Sequence, residues 1–158
     1  EFVFEFLTQH DNTYLTELHE LFMHKVIRPQ MRPEGFVAIE KHRDAGHALV
    51  GITATSDFIT APIFREFGIS EIIATNAEVV EGKYTGKVIN TPCYQKGKLT
   101  RLDQWLAGRD VSESWAYSDS INDRFLLEYA DHAIAVNPDD RLEALAKEQA
   151  WEIQDWSI

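Results

Sequence analysis

The sequence contains a single cysteine and no long apolar run. With Cys93 alone, an internal disulfide and a cysteine-only metal cluster are excluded. Scarce cysteine is typical of a reducing compartment, and we expect a cytoplasmic protein. No apolar stretch approaches the roughly 18–20 residues that span a bilayer, and no charged-then-apolar signal segment opens the chain. We therefore expect no membrane partner.

Basic residues are outnumbered by acidic ones. The chain carries 15 Lys and Arg against 26 Asp and Glu, which gives a formal net charge of −11. Extended nucleic-acid and anionic-membrane surfaces need clustered Lys and Arg, so we expect no nucleic-acid partner. An acidic protein can still bind a phosphate ester if one lysine, backbone N–H groups or a divalent cation offset the local charge.

Internal repeats, low-complexity tracts and Gly/Ser-rich linkers are also missing. The 158 residues fit one ordinary domain, or one domain with a small appendage. Apolar residues at helical spacing predict a helix over Thr13–Arg28, and the prolines of the segment Arg28–Pro33 end it. A second helix is predicted over Glu34–Ala45. The proline-containing segment is the best candidate for a domain boundary.

Beyond residue 45, short apolar strands alternate with helices. The predicted strands are Ala48–Ile52, Ile72–Ala74, Ser114–Tyr117 and Ala133–Val136, with a β-hairpin over Glu78–Thr85. The predicted helices are Asp57–Phe67, Gly97–Ala107, Asn122–Tyr129 and Asp139–Gln149. This alternation is typical of an α/β fold with a mainly parallel sheet. Active sites in such sheets lie at the carboxyl ends of the strands.

Three polar features fall at predicted strand ends or helix starts. The segment Thr53–Thr55 follows a strand and precedes a helix, where a hydroxyl and free N–H groups make an anion site. Lys98 opens a helix and offers a point charge suited to phosphate. Asp119 and Asp123 follow the strand Ser114–Tyr117, and two carboxylates at this spacing can share a hard cation such as Mg²⁺.

These features resemble motifs of the haloacid dehalogenase (HAD) superfamily, in the order in which that family has them. Gly46–Thr55 resembles its motif with a Thr or Ser at the end of a hydrophobic strand, Gly97-Lys98 its phosphate-binding lysine, and Tyr117–Asp123 its acidic metal motif. The intervening segments resemble the phosphoserine-phosphatase-like branch, subfamily IB, at Ile73–Glu78, Gly82–Gly86 and Ala135–Asp139. The resemblance extends from about Thr13 to the C-terminus.

The resemblance implies a Rossmann-like three-layer sandwich with a helical, C1-type cap. It also implies a Mg²⁺-dependent phosphatase that acts on a small phosphorylated metabolite. In the family's reaction an aspartate attacks phosphorus to form a phospho-aspartate, and a second aspartate two residues later serves as acid and base. Both aspartates belong to an Asp-x-Asp-x-Thr/Val motif after the first strand.

The same resemblance implies roles for individual residues. Thr53 would hydrogen-bond the phosphoryl oxygens, and Lys98 would neutralise them and the nucleophile. Asp119 would ligate Mg²⁺ directly, and Asp123 would support the metal directly or through water. Ala54 would make a further phosphate contact, and Asn122 would contact either the phosphate or the loop.

The sequence departs from the family pattern in one respect. No Asp-x-Asp-x-Thr/Val motif precedes Thr53, and the nearest mimic, Gln9–Thr13, has Gln where the nucleophile belongs. We therefore expect residues 1–33 to be the remnant of a helical cap and residues 34–158 to be a HAD-like core lacking its first strand. The nucleophile would then lie upstream of Glu1, and this chain alone would be inactive.

Several alternatives remain open at this stage. Taken singly, Thr53 and Asp119 could be helix caps, and Lys98 could be a solvated lysine with Lys96 as a competitor. A non-catalytic HAD-like module that binds a phosphorylated ligand or a protein is the second hypothesis, although the retained phosphate and metal motifs favour the enzyme. The acidic metal motif argues against dehalogenation. The substrate is not predicted, because substrate specificity in this branch resides largely in the cap. The oligomeric state is not predicted either.

Overall fold

The computed structural model describes residues 2–89, 93–94 and 96–157. The chain divides into two compact units, residues 1–93 and residues 94–158. Each unit combines helices with parallel strand pairs, so the predicted α/β class is confirmed. Within the described ranges, no helix is both long enough and apolar enough to cross a membrane.

The first unit begins with a run of helical segments. These are α1 (Phe2–Thr8), α2 (Asn12–Phe22), a π-helical turn (Met23–Ile27) and a 3-10 turn (Arg28–Gln30). Asp11 caps α2, because its carboxylate accepts a hydrogen bond from the backbone N–H of Tyr14 at 2.9 Å. The helix predicted over Thr13–Arg28 is present, but Pro29, which has no N–H to donate, lies in the 3-10 turn that ends it.

Helix α3 and a two-stranded parallel sheet follow. The elements are α3 (Pro33–Asp44), β1 (Val50–Ser56), α4 (Asp57–Glu66) and β2 (Glu71–Thr75). Strands β1 and β2 run parallel and start their pairing at Val50 opposite Glu71. A Cβ atom on Gly51 would lie 2.5 Å from the ring of Phe64. Glycine therefore allows α4 to lie directly against β1.

A β-hairpin completes the described part of the first unit. Strands β3 (Ala77–Val80) and β4 (Lys83–Val88) pair antiparallel. Both turn residues, Glu81 and Gly82, have positive φ angles of 50° and 76°, as the tight turns of two-residue hairpins require. The predicted hairpin is thus confirmed. A small core of buried apolar residues connects the helices with the hairpin: Leu7, Leu15 and Ala77, with Phe4, Phe58 and Tyr84 packed against them.

The second unit is built on three parallel strands. Its elements are α5 (Lys96–Leu106), β5 (Trp115–Ser118), a 3-10 turn (Ile121–Asp123), α6 (Arg124–Tyr129), β6 (His132–Val136), α7 (Asp140–Glu148) and β7 (Glu152–Gln154). Strand β6 lies between β5 and β7, and four of its five residues are buried, as expected for a strand covered on both faces. The apolar core consists of Ala116, Leu127, Ala133, Ala135, Leu142 and Ala146. The four tryptophans of the chain belong to this unit: Trp105, Trp115, Trp151 and Trp156.

Two expectations need correction. Strand β1 continues to Ser56, past its predicted end at Ile52, so Thr53–Thr55 lie within the strand and not after it. No strand is predicted after Ala133–Val136, but Glu152–Gln154 form β7, which pairs with β6 through Ile153 opposite Ala135. No helix or strand is predicted for Phe2–Thr8, which form α1. The assignment of residues 1–33 to a cap remnant stays a prediction.

Candidate functional site

Lys98 forms a nearly buried ion pair at the carboxyl end of β5. The lysine lies in the first turn of α5 and is 8% exposed. Its Nζ pairs with Oδ1 of Asp123, and Oδ2 of Asp123 accepts a hydrogen bond from the Ser118 hydroxyl at 2.8 Å. A buried ammonium without a partner would be costly. The pair therefore ties the start of α5 to the loop that follows β5.

Two serines shape that loop. The backbone N–H of Ser120 donates to the Ser118 hydroxyl oxygen at 3.2 Å, and the backbone N–H of Asn122 donates to the Ser120 hydroxyl oxygen at 3.3 Å. The backbone N–H of Asp123 donates to the Ser120 carbonyl at 3.0 Å. These local bonds form a tight turn in which Asp119 and Asn122 are exposed and Asp123 is half-buried.

The two carboxylates of this loop are not equally open to a cation, because both oxygens of Asp123 already have partners. Asp119 is exposed, and its backbone carbonyl accepts a hydrogen bond from the N–H of Asp139 at 2.8 Å. Across the ranges the structure describes, no cluster of three or more His, Cys, Asp or Glu side chains is arranged to hold a metal. Mg²⁺ keeps several waters and needs only one or two carboxylates together with the phosphate of a ligand. Such a site suits this loop better than one built from protein ligands alone.

The structure distinguishes the two candidate lysines. Lys96 is exposed, and its Nζ lies 5.6 Å from the centroid of the Phe125 ring. Lys98 is buried and paired with a carboxylate of the predicted metal motif. Its environment is that of a buried, paired ammonium and not of a solvated helix-start lysine.

Thr53 belongs to the first unit, whereas Lys98 and the acidic loop belong to the second. It lies in an irregular part of β1. Ile52 pairs with Ile73 and Ser56 with Thr75, so four steps along β1 (52 to 56) match only two along β2 (73 to 75). The segment between these pairs bulges from the regular ladder, as strands often do next to active sites.

The backbone of this bulge is held by side-chain hydrogen bonds. The Thr53 hydroxyl oxygen accepts from the N–H of Thr55 at 3.1 Å, and the carbonyl of Ala54 accepts from the Thr75 hydroxyl at 2.9 Å. The N–H of Phe58, in the first turn of α4, donates to Asp57 Oδ1 at 2.9 Å. Two N–H groups near the predicted anion site thus already have acceptors.

The mimic Gln9–Thr13 occupies a different structural setting from a HAD nucleophile. It follows a helix, α1, and leads into another, α2. Its only carboxylate, Asp11, is the N-cap of α2. The segment therefore does not stand at the end of a strand, where a catalytic aspartate of this family would lie.

Two histidines interact at the other end of β1. The Nδ1 atoms of His42 and His47 lie 2.8 Å apart, so one ring must donate and the other must accept. Burial, reinforced by the nearby His47 and Lys41, lowers the pKa of His42.

Sequence reasoning missed Asp57 and Asp139, two carboxylates that bind backbone N–H groups. Asp57 Oδ1 accepts from the N–H of Ala77 at 3.2 Å and Oδ2 from the Asn76 side chain at 2.9 Å. Asp139 accepts from three N–H groups, and these bonds, chiefly that from Ile121, lower the pKa of its carboxyl group. An Asp just before an apolar helix is a known capping signal; its contact with a distant loop has no local sequence signature.

Comparison with known proteins identifies the class. Residues 1–128 match the family of haloacid dehalogenase-like hydrolases, and the chain belongs to this family. A histidinol-phosphatase from Neisseria meningitidis is 39% identical over 153 residues, which cover 93% of this chain and 69% of that protein. Phosphoserine phosphatase SerB1 from Mycobacterium tuberculosis is 37% identical over 121 residues, which cover 75% of this chain and 39% of that protein.

Solved structures agree. A protein of unknown function from Bordetella pertussis Tohama I matches with a TM-score of 0.93 and 39% identity, covering 99% of this chain and 72% of that one. A probable phosphoserine phosphatase from Vibrio cholerae matches with a TM-score of 0.72 and 17% identity, covering 93% of this chain and 43% of that one. The Rossmann-like α/β fold and the likeness to phosphoserine-phosphatase-like HAD proteins are confirmed.

Proposed function

We propose that this chain belongs to a Mg²⁺-dependent phosphomonoesterase that works through a phospho-aspartate intermediate. The observation that carries the proposal is the buried ion pair between Lys98 of α5 and Asp123, which lies in the same loop as the exposed Asp119. A buried ion pair is seldom more stabilising than apolar residues of similar size. A positive charge held in place at the end of a strand is therefore better explained by binding of an anion than by packing.

Each residue has a chemical task in this proposal. Asp119 would ligate Mg²⁺, which would offset the negative charge of the phosphate. Asp123 would hold the Lys98 ammonium in one orientation, and Lys98 would neutralise the transferring phosphoryl group. The remaining contacts with phosphoryl oxygens are assigned to Thr53, Ala54 and Asn122. For Thr53 the assignment rests on the resemblance and on its position in the bulge of β1.

The nucleophile must come from elsewhere. No Asp-x-Asp-x-Thr/Val motif precedes Thr53, and Asp11 is engaged as a helix cap. We infer that the two catalytic aspartates lie outside these 158 residues, so the chain by itself would not turn over substrate.

The relatives suggest the substrate class. Histidinol phosphate and phosphoserine are both phosphate esters of a primary alcohol with a neighbouring amine. We propose a small phosphomonoester of this kind, with histidinol phosphate as the first candidate, because the histidinol-phosphatase covers 93% of this chain at 39% identity.

The test measures phosphate release by the parent protein from p-nitrophenyl phosphate, histidinol phosphate and phosphoserine. We expect Mg²⁺-dependent turnover and a loss of at least about 100-fold in kcat for Asp119→Asn, the scale seen when one electrostatic contact to the transition state is removed. Asp140→Asn, which removes the same charge in the first turn of α7, is the matched control. Undiminished turnover in EDTA would reject the metal role, and turnover by the 158-residue chain alone would reject our placement of the nucleophile.

A further inference from the structure

Asp139 connects the loop of the acidic motif to the helix α7. Its backbone N–H donates to the carbonyl of Asp119 at 2.8 Å, and its carboxylate Oδ2 accepts from the N–H of Ile121 at 2.9 Å. One residue thus binds the backbone on both sides of Ser120. Asp139, which lies between the end of the neighbouring strand β6 and the start of α7, thus fixes residues 119–121 at two points.

The other carboxylate oxygen of Asp139 is anchored in α7. Oδ1 accepts from the N–H groups of Arg141 at 3.0 Å and Leu142 at 2.8 Å, so Asp139 is the N-cap of that helix. Leu142 and Ala146, on the buried face of α7, are 0% exposed. Asp139, which holds the loop, is therefore itself held by a helix that packs in the core of the second unit.

This arrangement uses both oxygens of one carboxylate for different purposes. An ordinary N-cap needs a single acceptor oxygen, which Ser, Thr or Asn also supplies. The bond from Ile121 uses the second oxygen. Together with the ion pair of Lys98 and Asp123, it holds the loop from two directions.

We propose that Asp139 is a positioning residue that fixes the backbone of Asp119 and thereby the aim of its carboxylate toward a bound cation. The part that concerns the cation rests on the function proposed above. Both hydrogen bonds end on backbone atoms of the loop, so in this proposal Asp139 acts through Asp119 and not as a metal ligand.

The experiment measures amide hydrogen exchange by NMR on the 158-residue chain and on its variants. Asp139→Asn and Asp139→Ser each keep one capping oxygen and lose the second acceptor. We expect exchange at the Ile121 amide to become roughly tenfold faster or more, as loss of one charge-assisted hydrogen bond predicts. The buried amides of Leu142 and Ala146 should change by less than about threefold if the cap is retained.

Asp140→Asn is the matched control. It removes the same charge one residue away, so it corrects for the effect of charge on exchange rates, and the contacts of Asp139 remain. Unchanged exchange at Ile121 in both Asp139 variants, or equal acceleration in Asp140→Asn, would overturn the proposal.

A Mg²⁺ titration in the presence of inorganic phosphate, which supplies the anionic ligand that such a site needs, adds a readout that a merely structural role would not move. The Mg²⁺ concentration that gives half of the NMR chemical-shift change at the Asp119 amide should rise at least about threefold in Asp139→Asn. It should stay unchanged in Asp140→Asn. Equal midpoints in wild type and both variants would contradict the positioning role. A wild-type chain without any response to Mg²⁺ would refute the proposed metal role, and exchange at Ile121 would then decide the positioning by itself.

Discussion

Removing the Asp123 carboxylate should destabilise the second unit strongly. Asp123→Ala leaves the Lys98 ammonium and the Ser118 hydroxyl without their acceptor. Breaking a fully buried ion pair from one side costs about 3–5 kcal/mol. Because the two side chains keep 10% and 16% of their exposure, water can reach them in part. We therefore expect a loss of about 2–3 kcal/mol in the free energy of unfolding.

Tryptophan fluorescence during urea unfolding is a direct assay, since all four tryptophans lie in the second unit. At an m-value of about 1 kcal/mol per molar urea, a loss of about 2–3 kcal/mol should lower the transition midpoint by about 2–3 M. The surface pair of Glu143 and Lys147 provides the control, because its side chains are 44% and 66% exposed. Glu143→Ala should cost less than about 0.5 kcal/mol.

A double-mutant cycle tests whether the cost comes from the pair itself. In a chain with Lys98→Met, no buried ammonium is left unpaired, so Asp123→Ala should cost at least about 1 kcal/mol less than in the wild type. Our reasoning is refuted if Asp123→Ala shifts the transition no more than Glu143→Ala, or if its cost is the same in both backgrounds.

Two further predictions concern the first unit. His42 is buried with a lowered pKa, so the fold favours its neutral form. Its stabilising contribution is complete above the unfolded pKa of about 6.5 and is lost as the pH falls from there through the lowered folded pKa. The midpoint temperature of thermal unfolding, followed by circular dichroism, should therefore decrease below pH 6.5, and it should decrease less in His42→Gln. An equal dependence of this temperature on pH in both proteins would argue against His42 as the cause. Gly51→Ala would place a Cβ 2.5 Å from the Phe64 ring and should cost about 1–3 kcal/mol, part of which Phe64→Leu should restore; an additive loss in the double variant would contradict the steric cause.

The sequence predicts most elements because their ends carry strong local signals. Gly46 and Gly68 close helices with positive φ angles of 78° and 75°, and Pro33 lies in the first turn of α3. The apolar run Ala133–Val136 is a buried strand as expected. Where local sequence signals and tertiary packing favour the same structure, the pattern in the sequence is sufficient to predict the helix or strand.

Prediction fails where distant contacts determine the local structure. The segment Phe2–Thr8 is rich in aromatic residues, which favour strands, yet it is helical and buries Leu7. Glu152 and Gln154 are polar and Ile153 is 41% exposed, so the segment lacks the burial pattern of a core strand, and its pairing with β6 makes it one. Neither fact is visible in the periodicity of the segment concerned.

In the candidate site, too, local spacing is predicted from the sequence and contacts between distant residues are not. The spacing of Asp119 and Asp123 predicts two carboxylates in one loop, but it does not reveal that Asp123 pairs with Lys98, 25 residues earlier. The preference for Lys98 over Lys96 follows from motif context, and burial supplies an independent physical reason for it. The contact between Asp139 and Ile121 depends on two adjacent strands ending at the same edge of a sheet, which a linear motif cannot specify.

The bulge of β1 contains two residues more than the pairing of β1 with β2 needs. Ile52 and Ser56 pair with Ile73 and Thr75, and a strand shorter by two residues could join the same partners in a regular ladder. The additional backbone is therefore not required for strand pairing. Residues 53–55 could therefore change in length or composition during evolution, and the polar groups at this end of the strand with them. The pairing of β1 with β2 would stay the same.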